Sequence, residues 1–176
     1  RKMQSVPIGT VALTERFLNK DPPPQENLEA LSAWTKRIFG EIRKAFEKEG
    51  LRVEGLHPHL VGTAGTMTTL AAIDRGLTVY DPQKITGHRI SRSALEKIYF
   101  HLRSIPVEER REVPGLEKGR EDLIIAGGVV ALNLLEVFGL ETLMVVDSGL
   151  LEGILLDGLE RMAHSEEHGA TRLNKQ

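Results

Sequence analysis

Residues 59–72 read HLVGTAGTMTTLAA, and this stretch indicates the fold class. A short apolar run ending at Val61 enters a turn with two glycines, and residues 67–73 then have helical spacing. A second unit of the same kind follows, with an apolar, β-branched strand at 142–146 and a helix at 149–162. Two strand–turn–helix units in one domain are typical of an α/β fold with parallel strands.

Three further helices are predicted, and they make the chain helix-rich. Residues 26–49 are amphipathic, Ser91 is a plausible N-cap for a helix that ends near residue 104, and residues 121–138 are apolar nearly all round. Only two or three strands accompany this much helix, so we expect strands upstream of the chain to complete the sheet. The chain opens at Arg1, and we expect a fragment: one domain over 1–163, and a polar C-terminal tail over 164–176 that frays.

Composition excludes several classes of function. With 23 Lys and Arg against 25 Asp and Glu, the formal charge of −2 argues against an electrostatic grip on nucleic acid or on an anionic membrane. No apolar run approaches the roughly 18 residues that a membrane span needs. The absence of cysteine excludes disulfides, thiolate catalysis and cysteine zinc sites. We expect a cytoplasmic protein.

The first candidate site is the turn Gly62-Thr63-Ala64-Gly65-Thr66 between strand and helix. Glycines let backbone N–H groups approach a phosphate closely, and the helix start adds free N–H groups and a positive dipole end. The threonine hydroxyls could add donors. A tight turn with threonine caps explains the same residues, so on the residues alone both interpretations stand.

The second candidate is Asp147-Ser148-Gly149 with Glu152 in the following helix. Ligands of parallel α/β sheets bind beyond the carboxyl ends of the strands, so both glycine turns should open on one edge. Ser148 is equally explained as an ordinary helix N-cap.

Arg120 and the glycines of the apolar helix form a third group. Arg120 could reach an anion, or it could pair with a neighbouring acid at the surface. Gly127 and Gly128 each cost about 1 kcal/mol inside a helix relative to alanine. A close approach to another element, such as the Gly62 turn, would explain them.

Familiar catalytic motifs are missing. The sequence has no GxxxxGK[ST] loop and only two glycines of a dinucleotide fingerprint. No Ser/His/Asp set, catalytic base or metal-ligand set is supported by its context. The residues indicate phosphate binding without a catalytic group of their own.

The order of short motifs resembles that of the exopolyphosphatase/guanosine pentaphosphate phosphohydrolase (Ppx/GppA) family. The likeness covers about residues 5–160, and its clearest segments are Val61–Ala72, Gly87-His88, Val113–Leu116, Arg120–Asp122 before Ala126-Gly127, and Val146–Leu155. The resemblance implies the second domain of an actin-like ATPase (ribonuclease H-like) fold. Leu151 departs from the arginine that the family commonly has before Glu-Gly.

The resemblance also implies a function. In the family, two such domains close on a phosphate chain, a glutamate of the first domain positions water, and Mg²⁺ assists. Gly62–Thr66 would then be a phosphate cradle, with Ser148 and Glu152 near the same cleft and no catalytic residue in this fragment. The substrate would be inorganic polyphosphate or guanosine pentaphosphate (pppGpp), and the partner its own N-terminal domain.

Two other functions stay open. The domain could be a non-catalytic sensor of (p)ppGpp or another nucleotide, or it could be a dimerisation module with the apolar helix 121–138 partly at the interface. Alone, the fragment is expected to be inactive. Gly65→Val is expected to abolish phosphate affinity, because the new side chain would block the approach.

Overall fold

The computed structural model describes residues 3–50 and 59–173, with side chains to residue 162. In chain order the elements are α1 (Thr10–Phe17), α2 (Gln25–Lys48), β1 (Leu60–Gly62), α3 (Gly65–Asp74), α4 (Pro82–Ile85), β2 (Arg89–Ser91), α5 (Arg92–Ser104), α6 (Val107–Arg110), α7 (Ile124–Phe138), β3 (Thr142–Val145) and α8 (Leu150–Leu173).

The strands form one small mixed sheet in the order β1-β3-β2. β1 pairs with β3 in parallel, with Gly62 opposite Val145, so the predicted parallel pair is confirmed. β2 pairs with β3 antiparallel and was not predicted, because three residues are too few for an alternating pattern to show. The helix-rich α/β class with few strands is confirmed.

Helix α7 lies at the centre of the domain, packed against α2, α3 and α5. Its predicted burial is confirmed: residues 124–129 are all buried. Asn133 is buried too, and its Nδ2 donates to Thr35 Oγ1 of α2 at 2.6 Å, which satisfies the amide. The chain itself covers most of this helix, and its part in a dimer interface stays a prediction.

Arg110 is a structural residue that the sequence does not reveal, because it lies among the mixed charges of a connector. Its side chain is buried and pairs with Asp21, and burial lowers the pKa of the guanidinium. The other Asp21 oxygen accepts the Val107 N–H at 2.6 Å. This ion pair ties the turn after α1 to α6.

The last helix is longer than predicted. α8 continues to Leu173, beyond the end predicted at residue 162. Its apolar side chains are exposed: Leu150, Leu151, Ile154, Leu155, Leu156, Leu159 and Met162 are each more than half accessible. None of the helices in the described ranges has the length and apolar character that crossing a membrane requires.

Candidate functional site

Parallel pairing of β1 and β3 brings the two glycine turns together at one edge of the sheet. The Val146 N–H donates to the Gly62 carbonyl at 2.9 Å, which continues the ladder past the strand ends. Beyond it, Thr63 Oγ1 donates to the Ser148 carbonyl at 2.6 Å. One of the two hydroxyls expected to face a phosphate is therefore engaged in joining the two turns.

The first turn passes into α3 through an unusual backbone conformation at Ala64. Ala64 has φ 67° and ψ 171°, a region that residues other than glycine rarely adopt. Its carbonyl accepts the N–H groups of Met67 and Thr68 at 3.0 and 3.2 Å. In any α-helix the first N–H groups, here those of Gly65 and Thr66, have no acceptor within the helix and carry its positive dipole end.

Arg120 lies directly against this helix start. A Cβ built on Gly65 would collide with the guanidinium, with its two terminal nitrogens nearest. Arg120 Nε donates to Glu117 Oε2 at 2.6 Å. Arg120 thus pairs with a neighbouring acid and lies beside the candidate phosphate loop, and its contact with an anion stays a prediction.

This contact changes the physical account of Gly65. From the sequence, the space over Gly65 was expected to be open for an anion, but the Arg120 guanidinium occupies that space. Valine at this position would first displace Arg120.

The glycines of α7 allow close packing, Gly127 against the same loop and Gly128 against α5. A Cβ on Gly127 would collide with Thr66 Cγ2, and a Cβ on Gly128 would come within 3.1 Å of the Tyr99 ring. The expected close approach between α7 and the Gly62 turn is confirmed, and it fixes the position of Thr66.

A cavity of about 560 Å³ opens beside Gly65. Its lining combines small and apolar groups with one cation and two carboxylates: Ala64, Gly65, Thr68, Ala72, Leu77, Thr78, Tyr80, Gly115, Leu116, Glu117, Arg120 and Asp147. Tyr80 donates to Asp147 Oδ1 at 2.6 Å. Burial, and next the bond to Asp147, raise the pKa of the Tyr80 hydroxyl.

Sequence reasoning placed Asp147 in the second candidate turn but missed Tyr80 and Glu117 as cavity residues. The position of Asp147 just past a parallel strand was a usable signal, whereas Tyr80 and Glu117 lie in connectors without a pattern. Ser148 and Glu152 are near the same edge, but the described lining of the cavity contains neither. Glu152 Oε2 accepts the Gly149 N–H at 2.7 Å, and this bond lowers the pKa of the carboxyl.

The residues described here do not fit a magnesium site by themselves. Among them, no group of three or more His, Asp or Glu could hold a metal ion. Asp147 is a carboxylate at the cleft, yet one of its oxygens accepts from Tyr80.

The sequence profile of the Ppx/GppA phosphatase family matches residues 1–162. The chain belongs to this family. It is 33% identical over 156 residues to exopolyphosphatase 2 of Mycobacterium tuberculosis, covering 86% of this chain and 47% of that protein. It is also 29% identical over 163 residues to the bifunctional 3-dehydroquinate synthase/phosphatase of Fusobacterium nucleatum, covering 90% of this chain and 23% of that protein.

Solved structures agree with the family assignment. The Aquifex aeolicus member of the Ppx/GppA family superposes with a TM-score of 0.81 at 32% identity, covering 92% of this chain and 50% of that one. The actin-like fold implied by the resemblance is confirmed. The chain spans about half the length of the exopolyphosphatase and of this structure, and about a quarter of the bifunctional enzyme.

Proposed function

We propose that this Ppx/GppA chain is the second domain of a phosphohydrolase that removes the terminal phosphate from inorganic polyphosphate or pppGpp. Its part is to bind phosphate at Gly62–Thr66. One observation carries the proposal: the free N–H groups at the start of α3 and the Arg120 guanidinium meet at a single point beside the cavity. Oriented N–H groups and arginine are the donors that phosphoryl oxygens need.

The catalytic carboxylate belongs, in this proposal, to the domain that precedes the chain. The carboxylates at the cavity are both engaged, since Glu117 accepts from Arg120 and Asp147 accepts from Tyr80. A water molecule aimed at phosphorus needs a base facing the loop from the opposite side. The fragment alone is therefore expected to be inactive, and Mg²⁺ would need ligands outside it.

Helix α8 supports a second domain as the partner. Seven apolar side chains between Leu150 and Met162 are exposed in the described part of the chain. Exposed apolar groups clustered in this way mark a surface that another protein segment covers. The related exopolyphosphatase is about twice as long as this chain. We propose that the N-terminal domain covers this face.

The cavity favours a second candidate function, a non-catalytic nucleotide sensor. Among the described residues that line this space, two carboxylates, Glu117 and Asp147, accompany one cation, so a bare phosphate chain would be repelled deep inside it. A neutral nucleoside with hydrogen-bond donors fits such a lining. Dimerisation through α8 is the remaining alternative, and the cytoplasmic location stays a prediction.

Phosphate release from the complete gene product, with Mg²⁺ and either polyphosphate or pppGpp, tests the proposal. We expect release by the complete protein and none by residues 1–176, and the preferred substrate decides between the two. Arg120→Ala should raise KM by about tenfold or more, since a charge-assisted contact to phosphate is lost. The control Arg37→Ala removes an exposed arginine of α2 that pairs with Glu41.

No release from either substrate by the folded complete protein would overturn the hydrolase and leave the nucleotide sensor. Release with the same KM in Arg120→Ala and in the control would keep the hydrolase and move the phosphate site elsewhere.

A further inference from the structure

We propose that Glu117 is a positioning residue that holds the Arg120 guanidinium over the start of α3. The inference rests on the proposed function of this loop in phosphate binding. It assigns a role to a carboxylate that, on charge alone, should only weaken the binding of an anion.

The geometry of the pair separates two parts of one guanidinium. Nε, the guanidinium nitrogen bonded to the side-chain stem, donates to Glu117 Oε2 at 2.6 Å, so this donor is occupied. The two terminal nitrogens remain, and these are the atoms nearest to Gly65. A guanidinium is planar and rigid, so fixing Nε also fixes the direction of the terminal N–H groups.

Arg120 would not stay in this place without such a partner. The first turn of α3 is the positive end of the helix dipole, and a cation beside it is repelled. The arginine side chain is also partly exposed, with many rotamers available. Gly65 provides the room, and Glu117 provides the compensating charge and the hydrogen-bond acceptor.

Glu117 therefore has two opposite effects on an anion at the loop. Its negative charge repels the anion, while its oxygen aims the cation that binds it. Glu117→Gln removes the charge and keeps an oxygen that accepts from Nε. Glu117→Ala removes both, so the comparison of these two variants isolates the aiming effect.

The test is calorimetric titration of the complete gene product with inorganic tripolyphosphate. We expect Glu117→Gln to bind about fivefold more tightly than Glu117→Ala, because the two variants have the same charge and differ in the acceptor for a charged donor. In an Arg120→Ala background the difference should disappear, since nothing is left to aim. Glu112→Ala, an exposed carboxylate in the same connector, controls for net charge, and equal melting temperatures control for folding.

Equal affinities of Glu117→Gln and Glu117→Ala, with the wild type binding, would overturn the inference and leave the phosphate loop intact. A difference that persists in the Arg120→Ala background would also overturn it, because Glu117 would then act without Arg120. No binding by the folded wild type would overturn the phosphate loop, and the role of Glu117 with it.

Discussion

The contact between Gly127 and Thr66 leads to a quantitative prediction about how α7 holds the candidate phosphate loop. Gly127→Ala places a methyl group where Thr66 Cγ2 now lies, while the Cβ and Oγ1 atoms of Thr66 are 3.4 and 3.6 Å away. The collision is thus confined to one methyl group. Threonine cannot easily rotate away, because its β-branched side chain has few allowed rotamers in a helix.

Two terms of opposite sign set the size of the effect. Overpacking by a methyl group costs about 1–3 kcal/mol, whereas alanine in place of glycine inside a helix gains about 1 kcal/mol. With Thr66 present, Gly127→Ala should therefore lower the unfolding free energy by about 1 kcal/mol. Without the Thr66 methyl group the same substitution should gain about 1 kcal/mol, so the coupling between the two positions is about 2 kcal/mol.

Urea unfolding of four proteins measures this coupling: the wild type, Gly127→Ala, Thr66→Ser, and the double variant. Thr66→Ser removes the colliding methyl group and keeps the hydroxyl. Gly128→Ala serves as a comparison, because its Cβ would approach Tyr99 at 3.1 Å and not the loop. Its stability change should be the same with threonine or serine at 66.

A coupling below about 0.5 kcal/mol, the level at which independent sites add, would refute the argument. In that case Gly127 would be kept for some reason other than its contact with Thr66. A Gly128→Ala variant that couples equally strongly to residue 66 would refute it as well, because the effect would then be a general loosening of α7.

Three further predictions concern stability. Ala64→Gly should raise the unfolding free energy measured in urea by about 1 kcal/mol, because relief of about 1–3 kcal/mol of strain at φ 67° exceeds the entropy cost of glycine. The control Ala30→Gly, at an exposed position of α2, should lower the unfolding free energy by about 1 kcal/mol. A loss in both variants would contradict the prediction. Gly115→Ala should lower the unfolding free energy by about 3 kcal/mol or more, and the melting temperature with it, since φ is 88° and the new Cβ would collide with the α3 backbone. Calorimetry measures the loss, and an unchanged melting curve is the contrary result. Burial by itself would raise the pKa of Glu121, but backbone hydrogen bonds, including one from the Gly119 N–H at 2.8 Å, and nearby cations lower this pKa overall. The ionised Glu121 therefore stabilises the fold above the ordinary carboxyl pKa, and this stabilisation is lost as the pH falls through the lowered pKa. Glu121→Gln should therefore destabilise near neutral pH and approach the wild type in acid, and a pH-independent difference would contradict this.

Local patterns in the sequence were sufficient for most of the elements and for the class of fold. Strand–turn–helix units at 60–74 and 142–162, the capped helix after Ser91 and the apolar helix α7 follow from periodicity and turn residues. These signals lie within a few residues of one another. The ordered motifs were specific enough to identify the Ppx/GppA family.

Tertiary structure alone decided which residues meet. The guanidinium of Arg120 occupies the space over Gly65, Arg110 is buried against Asp21, and Tyr80 reaches Asp147; each pair joins segments far apart in the sequence. A connector rich in Arg and Glu looks the same whether its residues are solvated or buried, because burial depends on what other segments cover. For the same reason the apolar face of α8 reads as core in the sequence, and only the fold shows that the described part of the chain leaves it uncovered.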